Sequence, residues 1–169
     1  GPYTFQLAPE SVMKHMFKIL DATLRLCIGA CMAGIMLAVG LQVVARATIG
    51  AFSWPEELSV ILMIWGLMLA AAYVLNERGH VGISLLVERF GARTGAAINA
   101  LMHFLIILFS LAVIYGAYFK VSSVWSLTTG ALGVSRAIPN LAIPTSCALF
   151  ILVSIRLIWI DLAYWRAKR

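Results

Sequence analysis

The chain has 169 residues, of which 62% are hydrophobic and only 12% charged, with a formal net charge of +6. The charged fraction is about half of the roughly 25% found in soluble domains, and most apolar residues fall in four long runs, which excludes a soluble globular domain. The basic residues flank those runs instead of clustering with aromatics, so they read as topology signals and anionic-lipid contacts, with no nucleic-acid partner.

At the start, Gly1-Pro2 resembles the remnant of a cleaved tag and is set aside. Residues 3–25 form an N-terminal amphipathic segment. Pro9 and Ser11 mark a helix start, and Val12, Met13, Met16, Phe17, Leu20 and Leu24 form an apolar stripe opposite Lys14, His15, Lys18 and Asp21. Two arrangements fit this pattern: an interfacial helix lying on the membrane, or a straight extension of the first span. The four-helix membrane domain covers residues 26–165, with spans over Leu26–Ala45, Leu58–Leu75, Ala96–Phe119 and Leu141–Leu162. Each is long enough to cross a ~30 Å hydrocarbon core at ~1.5 Å per residue. Period-two alternation is absent, so the runs are helices and not barrel strands.

The link between the first two spans is short, and Ser53-Trp54-Pro55-Glu56 has the pattern of a capping box. After the second span, Gly79 and Gly82 break the chain, and Ile83, Leu86, Val87 and Phe90 predict a second interfacial helix that Gly91 stops. Lys120 to Pro139 is the longest linker, into which the third helix can continue. Pro139 and Pro144 punctuate the start of the fourth. Residues 166–169 are a basic tail. With the N-terminus inside, nine Lys and Arg residues flank the inner side and three (Arg46, Lys120 and Arg136) the outer, while Arg156 lies within the fourth run. The fold class is therefore an all-α membrane protein with four transmembrane helices, both termini cytoplasmic, and short amphipathic interfacial helices.

The span interiors hold few groups that carry chemistry. Asn99 and His103 share a face of the third helix, and His103 reads as a packing or hydrogen-bonding group, since paired haem ligands at one depth are missing. Arg156 either snorkels to the headgroups or pairs with a partner subunit. Cys27, Cys31 and Cys147 read as small packing residues. Small residues recur at helical spacing in Gly29/Ala33/Gly40, Gly66/Ala70 and Ala112/Gly116, which predicts close helix packing inside the bundle. On the outer side, Glu56 is accounted for by the cap, whereas Glu57 is not; it can pair with Arg46 or with another protein. No catalytic, metal, cofactor or substrate site emerges, and the chain reads as a non-enzyme without a cofactor of its own.

Taken together, Arg46 closing the first span, Trp54-Pro55-Glu56-Glu57 opening the second, Arg78-Gly79-His80 running into Val81–Val87, and Ser135-Arg136-Ala137-Ile138-Pro139 with Ile143-Pro144 resemble the small (Q, DctQ-type) membrane subunit of tripartite ATP-independent periplasmic (TRAP) transporters. One departure is Ser84, near which the family commonly has an Asp. The resemblance implies a bacterial inner-membrane, multi-pass, non-catalytic scaffold subunit. It implies as partners a large (M) membrane subunit, which binds Na⁺ and the substrate, and a periplasmic substrate-binding protein that delivers an organic acid anion for symport. The small subunit would brace the large one and help dock the binding protein, with Arg46, Trp54, Glu56, Glu57, Arg136 and Arg156 as the partner-interface candidates. Two alternatives from other classes are a small four-helix proton-coupled exporter and the membrane anchor subunit of a redox complex. The first lacks an acidic residue at substrate depth, the second its paired axial ligands.

Overall fold

The computed structural model describes residues 8–48, 50, 52–77 and 92–167. Four helices account for nearly all of them: α1 (Ala8–Thr48), α2 (Trp54–Asn76), α3 (Ala92–Val124) and α4 (Ala137–Ala167). Each contains a stretch long and apolar enough to cross a membrane. Lipid offers no partner for backbone N–H and C=O groups, so such runs satisfy their hydrogen bonds within the helix. Among the described residues there is no strand, only an isolated bridge between Thr128 and Ser135.

Of the two arrangements open for the N-terminal segment, the structure takes the straight extension. α1 is unbroken over 41 residues, because no glycine or proline interrupts it between Pro9 and Gly29. Phe17 packs with Leu75 near the end of α2, so residues 8–16 project roughly 13 Å beyond that level at ~1.5 Å per residue. The second interfacial helix expected over 79–91 lies outside the described residues, as do Arg78, His80 and Ser84.

Helix ends follow local chemistry, with one correction. Pro55 occupies the first turn of α2 as expected, but Ser53 makes no side-chain cap. Its φ of −91° and ψ of −20° are helical, whereas a capping side chain needs an extended backbone to turn toward the helix N–H groups. α1 ends where the Gly50 N–H reaches the Ala45 carbonyl at 2.9 Å, with Gly50 at φ 127°, a conformation that favours glycine. α3 continues to Val124, past the end of its apolar run. Pro144 lies inside α4 and removes one intrahelical donor, a loss that transmembrane helices accommodate.

The helices pack side by side in the order α1, α2, α4, α3. Two antiparallel hairpins, α1–α2 and α3–α4, meet along α2 and α4, so α1 and α3 are the edges of an open layer. The core cluster lies near the end that carries both termini: Phe17, Leu75, Val153 and Leu157, joined by Leu20, Ile106 and Phe150. All four helices contribute to it.

Candidate functional site

The residues singled out in the sequence fall at two places, the far end of the layer, where the hairpin connections lie, and a corner near the terminal end. At the far end the α3–α4 connection is a tight structure. Thr129 N–H donates to the Val134 carbonyl at 2.8 Å and Arg136 N–H to the Leu127 carbonyl at 2.8 Å. Ser135 Oγ donates to the Trp125 carbonyl at 2.7 Å and accepts the Ala137 N–H at 3.1 Å. Gly133, at φ 67°, supplies the left-handed turn.

Glu57 clamps this loop from the neighbouring hairpin. Its Oε2 accepts the Ala131 N–H at 3.0 Å and the Leu132 N–H at 2.7 Å. A carboxylate receiving two backbone donors is a charge-assisted arrangement that fixes both partners. Glu57 therefore works within the chain and does not pair with Arg46. Arg136 is also stitched into the loop: its Nε donates to the Thr128 carbonyl at 3.1 Å, and its carbonyl accepts from Asn140 Nδ2 at 2.7 Å. Arg46, Trp54 and Glu56 stand exposed at the same end. They make no side-chain hydrogen bond or ion pair among the described residues.

Two further hydrogen bonds tie α2 to α4. Trp65 Nε1 donates to the Ile138 carbonyl at 3.2 Å, and Arg156 Nη1 donates to Asn76 Oδ1 at 2.9 Å. The Arg156 guanidinium carbon also lies 4.2 Å from the centroid of the Phe17 ring, a cation–π distance. The sequence offered no sign of these two contacts, which place the Arg156 head between α1, α2 and α4. Glu57, Trp65 and Asn76 thus fasten α2 to the second hairpin near its start, in its middle and at its end.

The small residues divide between interior and surface. Gly66 is an interior contact, since a Cβ there would lie 3.2 Å from Cys31 Cβ. Gly34, which no pattern in the sequence singled out, is tighter: a Cβ would meet Leu62 Cδ1 at 2.8 Å. Gly29, Gly40 and Gly116 have open space at the Cβ position, so the α1 and α3 stripes pack against nothing among the described residues. The second hairpin buries instead small residues that the sequence reading passed over. Ser110, Ser146 and Ser154 are fully buried, and their hydroxyls have no hydrogen-bond partner among the described residues. Their value is small volume, which lets helices approach closely. His103 is buried at 8% exposure, one and two turns of α3 before Ile106 and Ser110.

The outer faces of the edge helices are apolar, and no described residue covers them. On α1, Leu26, Met36 and Leu37 are each at least 75% exposed, and on α3 Phe109, Tyr115 and Tyr118 are at least 68% exposed. Such faces require lipid or protein against them.

The family model for the DctQ component of tripartite ATP-independent periplasmic transporters matches residues 35–163. That stretch is most of the chain and includes the far end, the whole of α2 and α3, and nearly all of α4. The chain belongs to this family, as its motifs indicate, and is a multi-pass membrane component of such a transporter. No curated protein matches the chain.

Proposed function

We propose that this DctQ-family chain is a non-catalytic scaffold: it braces the large membrane subunit and helps dock a periplasmic binding protein during Na⁺-driven uptake of an organic acid anion. The observation that carries the reading is the open helix order. α1 and α3 lie at opposite edges, and each presents a long apolar face that nothing among the described residues covers. The spans show no discontinuous helix pair of the kind that builds substrate sites in secondary transporters. Coupling by Na⁺ and recognition of the anion then belong to the large subunit, and delivery to the binding protein.

With the basic residues setting the orientation, the terminal end faces the cytoplasm of a bacterial inner membrane and the far end faces the periplasm. Arg46, Trp54 and Glu56 are then the outward contacts for a partner, while Glu57 and Arg136 shape the rim beside them. Arg156 acts from the opposite end by holding α2 and α4 in register.

Reconstitution tests the reading. Liposomes holding the large subunit and supplied with binding protein should accumulate the anion under a Na⁺ gradient only when this chain is present, and this chain alone should transport nothing. Undiminished uptake without it, or uptake by it alone, would overturn the proposal.

A further inference from the structure

The connection between α3 and α4 holds two backbone N–H groups whose acceptor lies outside the loop. Those of Ala131 and Leu132 point at one oxygen, Oε2 of Glu57, at 3.0 and 2.7 Å. The Gly130 N–H and the Thr129 hydroxyl are near enough to act on the same carboxylate. We propose that residues 129–132 are a preformed receptor for a small carboxylate, and that Glu57 is its resident ligand, supplied by the other hairpin. The inference rests on the loop alone and is independent of the transporter reading.

The loop has its own means of holding the receptor in shape. Both ends of the turn over 129–134 are fastened internally. The Thr129 N–H donates to the Val134 carbonyl at 2.8 Å, and the Val134 N–H donates to Thr129 Oγ1 at 3.2 Å. Outside that turn, the Arg136 N–H reaches the Leu127 carbonyl and Ser135 Oγ the Trp125 carbonyl. None of these bonds uses Glu57. Successive N–H groups fixed so that they converge form a concave anion site. A carboxylate entering it gains charge-assisted bonds without first having to order the loop.

Charge and access favour the same ligand. From Lys120 to Asn140 the chain carries two cations, Lys120 and Arg136, and no carboxylate. Glu56 is the other acidic residue at this end; it is exposed, where water and salt screen it. Gly130 and Ala131 are exposed and Leu132 is half-buried, so a free acid reaches the N–H groups once the Glu57 side chain is gone. The resident group sets the class, since a carboxylate already sits there at hydrogen-bond distance.

Glu57→Ala in the full chain, purified in detergent, empties the receptor while Trp65 and Asn76 still tie α2 to α4. Hydrogen exchange should be followed at single amides in sodium acetate and in sodium chloride of equal ionic strength. Without acetate, Ala131 and Leu132 should exchange on the order of tenfold faster than in the parent, while Thr129 and Arg136 keep their protection. Acetate should slow the two amides saturably, with half its effect at roughly 100 mM, the weak range of a few exposed hydrogen bonds. Chloride should not slow them. The parent should not respond to acetate, because Glu57 holds the site at a high effective concentration. Lost protection at Thr129 and Arg136 would overturn the proposal, since Glu57 would then build the turn and not merely fill it. Equal slowing by chloride, an equal response in the parent, or no slowing by acetate would overturn it as well. If Glu57→Ala yields no folded protein, Glu57→Gln carries the same test. Acetate is the stronger acceptor and should protect both amides beyond the level that the neutral side chain gives; no added protection would overturn the proposal.

Discussion

The two helical hairpins are built on different principles. α1 and α2 close on shape: Gly34 receives Leu62, Gly66 receives Cys31, and five residues connect the helices. α3 and α4 carry three fully buried serines, and their twelve-residue connection is organised by hydrogen bonds. The hairpins are then joined by polar contacts from one helix. Glu57, Trp65 and Asn76 all belong to α2, and at ~1.5 Å per residue the outermost two are about 28 Å apart, close to a full hydrocarbon thickness. α2 is the strut that holds the layer flat, and α1 is attached to it by packing alone over most of its length. The bracing role proposed above would use that asymmetry, a rigid centre with apolar edges on either side.

The largest effect should come from filling the shape-based contact. Gly66→Leu would force a branched side chain against Cys31 and Met32, separating α1 from α2 and destabilising the fold by about 2–3 kcal/mol. Thermal unfolding in detergent measures it. Gly34→Ala makes the comparison sharper. Its Cβ meets only the end of the flexible Leu62 side chain, which can rotate away, so the loss should stay below about 1 kcal/mol. Equal losses at the two glycines would show that backbone proximity, and not the identity of the opposing atom, governs this hairpin.

Next in size is the polar tie at the terminal end. Arg156→Met removes the bond to Asn76 and the contact with Phe17 and should destabilise by roughly 1–3 kcal/mol. Asn76→Ala alone should cost less, since Arg156 keeps its place over the ring. In a double-mutant cycle the two should couple by about 0.5–2 kcal/mol. Additive losses would mean that Arg156 stabilises the corner without Asn76, and that α2 is stitched at two points instead of three.

These contacts also mark how far the sequence could be read. The four spans, the extension of α3 and the proline in the first turn of α2 were legible because they follow from apolar periodicity and local backbone chemistry. The family was legible from Trp54-Pro55-Glu56-Glu57 and the Ile-Pro steps. The partners of Glu57 and Arg156 were not. Ala131, Leu132 and Asn76 lie 74 to 80 residues away in sequence, and two of those bonds use backbone N–H groups, which every residue has. Which small residues face inward was equally hidden, because Gly29 and Gly66 have the same side chain and differ only in what the fold places beside them. Serines in apolar runs gave a weak signal of their own. Three of them, at 110, 146 and 154, are the fully buried ones.

Glu57→Gln tests the clamp at the far end on a local scale. It keeps an acceptor oxygen but removes the charge that strengthens both bonds. Amide exchange at Ala131 and Leu132 should accelerate on the order of tenfold, while the unfolding temperature barely moves. Protection that persists would assign the loop's order to its internal bonds, those of Thr129, Ser135 and Arg136. Loss of protection together with reduced recovery of binding protein would connect the clamp to docking.

The smallest effect on the isolated chain is expected at the bare edges, and there the comparison with a complex is most informative. Gly29→Leu adds a side chain where nothing lies within 4 Å, and leucine is a better helix former than glycine. Stability should therefore change by no more than about 0.5 kcal/mol, or rise slightly. If the large subunit packs on this face of α1, the same change should lower co-purification, because small residues permit a close approach that leucine prevents. Gly116→Leu asks the same of α3. A loss of assembly at one glycine and not the other would identify which edge of the layer is bound. Undiminished recovery with both would place lipid on the two glycine faces and send the search for the interface to the broad sides of α2 and α4.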